Sequence, residues 1–515
     1  MTPTAPPQSD PTDTAPPGRR AGRARTALYA ATALLAGLVI APPAASALAE
    51  AVDPPTATVT GTVFVDRDGD GTYGGVDTPL AGVSVSDGAQ IVSTDTAGRY
   101  RLELRTDRRL TDLVFITQPA GYTVGVDANM TPAFYRDLGE LTDGQTAPAD
   151  FALVADPAAR GSNFTFANVA DPHVNADLAD QIREITTTGQ DLAFIQVSGD
   201  LTNNATDAEF EYYQQATARS TVPVWPAVGN HEYSPGASYA DRIENYREHV
   251  GPEWYSFDHG DRHFLVLEDN GAAPFDEQLA WVEADLAANA ADKRFVVLTH
   301  QPMNVPFGSP SVYDRYSEVL ERYGAELILV GHEHSNDVEP DSDFAATAKH
   351  VQTNSSSYTI DNSPRGFRYV TMTGSGIANP FRMYGAQQDL TIVSPADGTS
   401  VPLDGFPGIQ VNAYDTSDAP VVVRFRMDGG SWRPMSHSGQ FTWYAPLTSD
   451  LRRTGRHTLE VAARDATGAT WAEQASFTLT SDPAITPTPG ADWAQHHGDA
   501  AHTGVAGEPI PARST

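Results

Sequence analysis

The sequence predicts a mixed α/β (α+β) protein, with a central α/β domain between two additional all-β sandwich domains. Three observations predict it. Between residues 160 and 380, short apolar runs alternate with stretches that read as helices, the pattern of α/β layers. At 56–155 and 386–480, short β runs are punctuated by turn residues, the pattern of small sandwiches. Five of the central apolar runs end on polar, metal-capable residues, where ligands bind in open α/β sheets.

The 515 residues exceed what one core holds, so about three domains are expected. A formal net charge of -33 argues against nonspecific nucleic-acid binding, which needs a basic face. It also argues against docking on anionic lipid and fits a soluble, well-dispersed surface. Only Lys293 and Lys349 are lysines, a bias of composition rather than of function. The chain has no cysteine. Disulfides, thiolate metal sites and cysteine nucleophiles are excluded, so any metal must be held by His, Asp, Glu, Asn or backbone oxygen.

Residues 1–49 carry the pattern of a secretory signal. A basic cluster (Arg19, Arg20, Arg23, Arg25) precedes the apolar run 26–40 and then a small-residue segment, 41–49. Fifteen apolar residues are short for a membrane span, which needs about 20. The expectation is an exported protein, extracellular or attached to the cell envelope, with no span once the signal is cleaved.

The first β domain, 56–155, places its strands near 58–65, 82–86, 99–104 and 113–116. Between the first two lies an acidic loop. Asp66, Asp68 and Asp70 stand at positions 1, 3 and 5, Gly71 at 6, Thr72 at 7 and Asp77 at 12, the spacing of a calcium loop. Its bland alternative is an acidic turn without an ion. The surrounding residues, Gly61 to Phe64 and Leu80 to Val83 with Gly98-Arg99-Tyr100, resemble the calcium-binding B-type repeats of bacterial surface proteins. That resemblance implies a structural calcium.

In the central domain, strands are expected at 163–169, 192–197, 222–228, 295–298 and 326–330. A hairpin is expected around His259-Gly260-Asp261, and returning strands at 350–353 and 368–373. Helices are expected at 176–187, 207–219, 276–289 and 313–323. The strand ends gather Asp171, His173, Asp200, Asn230, His300, His332 and His334. Seven such donors are too many for one tetrahedral ion. They suit two divalent cations bridged by a carboxylate, and mixed N/O ligands fit Mn, Fe or Zn better than Mg or Ca. A two-metal clamp stabilises both the attacking and the leaving oxygen of a phosphoryl displacement.

Asp171-Pro172-His173, Gly199-Asp200, Gly229-Asn230-His231-Glu232, Thr299-His300 and Gly331-His332-Glu333-His334, in this order, resemble the calcineurin-like metallophosphoesterase superfamily. The resemblance covers about 220 residues. It implies a β-sandwich flanked by helices, two metals and hydrolysis of phosphate esters by metal-bound hydroxide. Position by position, Asp171, His173 and His334 would hold the first metal. Asn230, His300 and His332 would hold the second, and Asp200 would bridge them. His231 matches the family's non-ligand catalytic histidine, beside the leaving-group oxygen. Purple acid phosphatases of the superfamily have Tyr three residues after the bridging Asp. Here that residue is Asn203, a pocket candidate, so a tyrosinate-ligated iron centre is not expected. The remaining histidines, His249, His259, His263, His350, His437 and His457, read as packing or surface residues.

The third domain, 386–480, reads as an immunoglobulin-like sandwich. Its Trp432 and Trp443 are expected in packing rather than as a sugar platform. Residues 481–490 read as a Pro/Thr linker. The segment 492–504 resembles one strand of quinoprotein-like propeller repeats. The expected activity is phosphodiester hydrolysis, with a phosphomonoesterase on the same ligand set as the alternative. A noncatalytic surface or adhesion protein, binding cell-surface or polysaccharide partners through its β modules, is the alternative outside enzymes.

Overall fold

The computed structural model describes residues 54–481, except 190, 272, 291–292, 305, 340–343, 361, 405 and 418. The signal segment, the linker beyond 481 and the propeller-like stretch lie outside the described residues.

The central domain is two six-stranded sheets. The first contains β1 (Phe164–Val169), β2 (Leu192–Val197) and β3 (Val224–Pro226), mutually parallel. The second contains the hairpin β4 (Tyr255–His259) and β5 (Arg262–Val266), then β6 (Arg294–Leu298), β7 (Ala325–Val330), β8 (Asp337–Glu339) and β9 (Lys349–Gln352). β5, β6, β7 and β9 run parallel. The strand expected near 350 is thus a parallel one. The antiparallel strand is β10 (Gly366–Thr373), which pairs with β1.

The strands are apolar because both of their faces are covered. On β1, Phe166 points into the space between the sheets, 4.8 Å from Phe194 and 5.5 Å from Phe264 by ring centroids. Its neighbours Ala167 and Val169 face the other way, into a core with helices α1 (Leu178–Thr188), α2 (Asp207–Thr217) and α3 (Tyr239–His249). Helices α4 (Phe275–Asn289) and α5 (Pro310–Tyr323) pack on the second sheet through Leu279, Val282, Tyr316 and Leu320. The result is the expected β-sandwich flanked by helices. Helix α3 is an addition to the expected elements. Ser238 caps it by accepting from the Asp241 amide.

The first β module is also two sheets, built around the strand Thr56–Val65. Its core is continuous with that of the central sandwich. Trp281 of α4 donates from Nε1 to Ser86 Oγ at 2.9 Å, and Trp254 donates to the Gly88 carbonyl at 3.0 Å. The C-terminal module has two sheets of four and five strands around a core of its own. Trp443 is buried in that core, and Trp432 is covered by the Arg424 and Arg426 guanidinium groups. Among the described residues, no helix is long and apolar enough to cross a membrane.

Candidate metal centre

The parallel strands of both sheets deliver their carboxyl ends to one place, and the loops leaving them carry the polar side chains. Asp171 and His173 follow β1, Asp200 follows β2, and Asn230 and His231 follow β3. His300 follows β6, and His332 and His334 follow β7. Asp171, His173, Asp200 and His334 bring ligand atoms within 4.8 Å of one another, and so do Asp200, His300 and His332. Asp200 belongs to both groups. Its Oδ2 is 3.8 Å from His173 Nε2, and its Oδ1 is 3.2 Å from His300 Nε2. Asn230 Oδ1 lies 3.0 Å from His300 Nε2, and His332 Nδ1 lies 3.1 Å from the same atom.

Second contacts set the tautomers. His173 Nδ1 is 3.0 Å from the Thr202 carbonyl, His300 Nδ1 is 2.8 Å from that of Ser198, and His334 Nδ1 is 2.9 Å from that of Tyr358. A carbonyl only accepts, so each Nδ1 carries the proton, as in metal-ligating histidines. In His173 and His334 this leaves bare Nε2 lone pairs 3.3 Å apart. Two facing lone pairs repel unless a cation lies between them. Burial holds both imidazoles below their usual range, His334 at about 3, which keeps them neutral donors.

The carboxylates call for positive charge as well. Burial pushes Asp171 well above the carboxylate range, and the neighbouring Asp200 adds to the rise. For Asp200, burial opposes the charge, but His300, His231 and His173 outweigh it and hold the carboxyl low. Two buried carboxylates among four imidazoles form a donor set that fits two transition-metal cations.

The backbone is bent to achieve this. Asp171, His173, Asp200, His332 and His334 all have positive φ, between 47° and 71°, half of the ten such non-glycine residues among those described. Left-handed conformations at branched or polar side chains cost energy and cluster at functional sites. The motif glycines answer to close approach. At Gly331 a Cβ would stand 2.6 Å from Asp171 Oδ2, and at Gly229 it would overlap Asp200. Only glycine lets the backbone pass these carboxylates.

His231 borders the centre rather than joining it. Its side chain is 36% exposed, and Nε2 lies 4.0 Å from Asp200 Oδ2. Nδ1 donates to the Asn203 carbonyl at 2.7 Å, which aims Nε2 inward. Asn203 therefore contributes through its backbone, and its side chain is exposed. Glu232 is buried and ties two loops together. It accepts from the Thr202 amide at 2.9 Å and from the Gly229 amide at 2.7 Å.

The sequence did not signal a further loop, at 354–360. Ser355 Oγ donates to the Asp171 carbonyl at 2.9 Å, and Ser356 Oγ donates to that of Ala170 at 3.0 Å. The Ile360 amide donates to the His334 carbonyl at 3.2 Å. Tyr358 sits between these anchors, its ring 4.2 Å from that of His334 and 5.8 Å from that of His173. The contacts run through backbone atoms of a loop distant in sequence, so no residue pattern could flag them.

In the acidic loop of the first module, Asp66, Asp68 and Asp70 come together. Asp66 accepts from the Gly69 and Gly71 amides at 2.7 and 2.9 Å, and Asp70 accepts from the Thr72 amide at 2.7 Å. Asp77 stands differently. Its two oxygens accept from the Arg67 and Gly74 amides at 2.9 and 2.8 Å, closing the loop by hydrogen bonds.

Among known proteins, residues 164–336 match the family model of the calcineurin-like phosphoesterase, and residues 67–156 match that of the N-terminal domain of calcineurin-like phosphoesterases. The two cover just over half of the chain. A probable cyclic nucleotide phosphodiesterase of Fibrobacter succinogenes is 23% identical over 156 residues, 28% of this chain and 59% of that protein. The match spans less than two thirds of that relative's length. Among solved structures, a purple acid phosphatase from yellow lupin (Lupinus luteus) seeds is 13% identical with a TM-score of 0.32, covering 83% of this chain and 70% of its own. PhoD is 12% identical with a TM-score of 0.33, covering 78% and 86%. The first module, which resembled surface-protein repeats in sequence, thus matches the phosphoesterases' own N-terminal domain. With both family models matched in order and the ligand motifs converging at the strand ends, the chain belongs to the calcineurin-like phosphoesterase family.

Proposed function

We propose that this protein is an exported, metal-dependent phosphoric ester hydrolase with a preference for phosphodiesters. The observation that carries the reading is the convergence of Asp171, His173, His300, His332 and His334 around the buried Asp200, with Asn230 beside His300 and His231 at the border. Asp171, His173 and His334 would hold one metal and Asn230, His300 and His332 the other, and Asp200 would serve both. Mn, Fe or Zn suits the mixed donors. When bound, such a pair supplies Lewis acidity at phosphoryl oxygens and a water acidified toward neutral pH.

The chain's own residues do the rest. The carbonyls of Thr202, Ser198 and Tyr358 orient the ligand imidazoles, so the donors need no rearrangement on binding. With its Nδ1 proton held by the Asn203 carbonyl, His231 in its imidazolium form would deliver the Nε2 proton to the leaving oxygen and return to the neutral imidazole. The diester preference is supported by the Fibrobacter relative, a probable cyclic nucleotide phosphodiesterase. Export is supported by the signal pattern of residues 1–49. The test is hydrolysis of a chromogenic phosphodiester and its monoester after reconstitution with each metal. Faster diester turnover supports the reading, monoester turnover alone moves it to a phosphatase, and no turnover with two metals bound overturns it.

A further inference from the structure

We propose that Tyr358 forms a subsite for a planar aromatic group of the substrate, resting on the phosphoesterase reading above. Tyr358 is 50% exposed, one of few large apolar side chains so exposed among the described residues. Surface aromatics of this kind are usually free to move, but this one is not. Its carbonyl accepts from His334 Nδ1, its amide donates to Ser355 Oγ at 3.2 Å, and that hydroxyl is itself bonded to the Asp171 carbonyl. The loop is therefore anchored on the backbone of one metal-site residue and the side chain of another.

The ring lies near parallel to His173, at 26°, and tilted against His334. One side of the phenol thus packs on ligand imidazoles while the rest stays open to solvent. His231, the proton donor, borders the same His173, with ring centroids 4.8 Å apart. An ester whose leaving oxygen reaches His231 therefore carries its organic group along a wall that includes Tyr358. A rigid, half-exposed ring offers dispersion and quadrupole contact to a flat partner and little to a puckered one. The substrate class this selects is an aryl or nucleoside ester rather than an alkyl or polyol ester.

The experiment compares binding of phenylphosphonate and of cyclohexylphosphonate, which differ in flatness, by calorimetry on the metal-loaded full chain. Wild type, Tyr358→Ala and Tyr358→Phe are measured in parallel. Wild type is expected to favour the phenyl compound, and Tyr358→Ala to lose ~10-fold in its affinity, the size of one stacking contact, with cyclohexyl binding unchanged. Tyr358→Phe is expected to keep the preference. Equal weakening of both ligands in Tyr358→Ala would mean that the ring only supports His334, and would overturn the proposal. So would the absence of any preference in wild type. Hydrolysis is assayed separately. A protein that binds with the expected preference but turns over no ester contradicts the phosphoesterase reading and leaves the subsite standing.

Discussion

At the scale of single residues, the proposed mechanism separates holding metal from moving protons. His231 touches the centre only at 4.0 Å, so His231→Ala should leave metal content intact. Its loss should lower kcat by ~10²–10⁴-fold, the usual worth of a general acid. The drop should be larger for an alkoxide leaving group than for nitrophenolate, which departs without a proton. An equal drop for both would contradict the proton-delivery role. Asp171, His173, Asp200, Asn230, His231, His300, His332 and His334 were legible in the sequence because short motifs end apolar runs, and the strand ends converge. Tyr358, Ser355 and Thr202 were not, because they act through a carbonyl or through a loop remote in sequence. Three of the histidines expected as packing or surface residues lie against aromatic rings. His249 stacks on Phe210, His259 meets Phe164, and His437 stacks on Trp443.

At the scale of elements, the hairpin β4–β5 carries a buried charge network. His263 lies between Asp258 Oδ1, at 2.9 Å, and Asp285 Oδ2 of α4, at 2.6 Å. Lys293 donates to Asp258 at 2.6 Å, and Ser256 donates to Asp285 at 2.8 Å. Burial alone would lower the imidazole, but Asp285 and Asp258 outweigh it and His263 is pushed up to about 9. A raised folded value means the charged form stabilises the fold. That stability is fully present below the unfolded value of about 6.5 and is lost as pH rises through about 9. Its size is on the order of 3 kcal/mol. Urea unfolding of wild type and His263→Gln across pH 6–10 should show the gap between them narrowing from about pH 6.5 to about pH 9 and level above that, and a constant gap throughout would contradict the network. The loop at 66–77 has its own test. Calcium that raises Tm in wild type but not in Asp68→Asn supports the expected ion, and no effect makes it an acidic turn closed by Asp77. Helix α3 escaped the sequence because its buried residues are few. Ile243 and Tyr246 lie among charged neighbours, so the apolar stripe is short, and the Ser238 cap was the remaining cue.

At the scale of the whole molecule, the modules are unequal partners. The change in strand and helix rhythm along the chain was legible in the sequence. The shared core of the first two parts was not, because Trp254 and Trp281 look like ordinary core residues of their own domain. They are bonded across to Gly88 and Ser86 instead. Deleting residues 1–155 should therefore expose one face of the catalytic core and give insoluble protein. Ending the chain near 385 should leave a folded enzyme, because the last module keeps a separate core. Soluble, cooperative unfolding of the first truncation would contradict this.

The central claim is a two-metal centre bridged by Asp200, and the most direct measurement is metal stoichiometry with diester turnover, in wild type and Asp200→Asn. Two transition-metal ions per wild-type chain are expected. In the variant, binding should weaken and turnover fall at least ~100-fold, given that even outer-shell changes cost 10–100-fold. Full turnover in Asp200→Asn, or a wild-type protein that binds no metal, would contradict it.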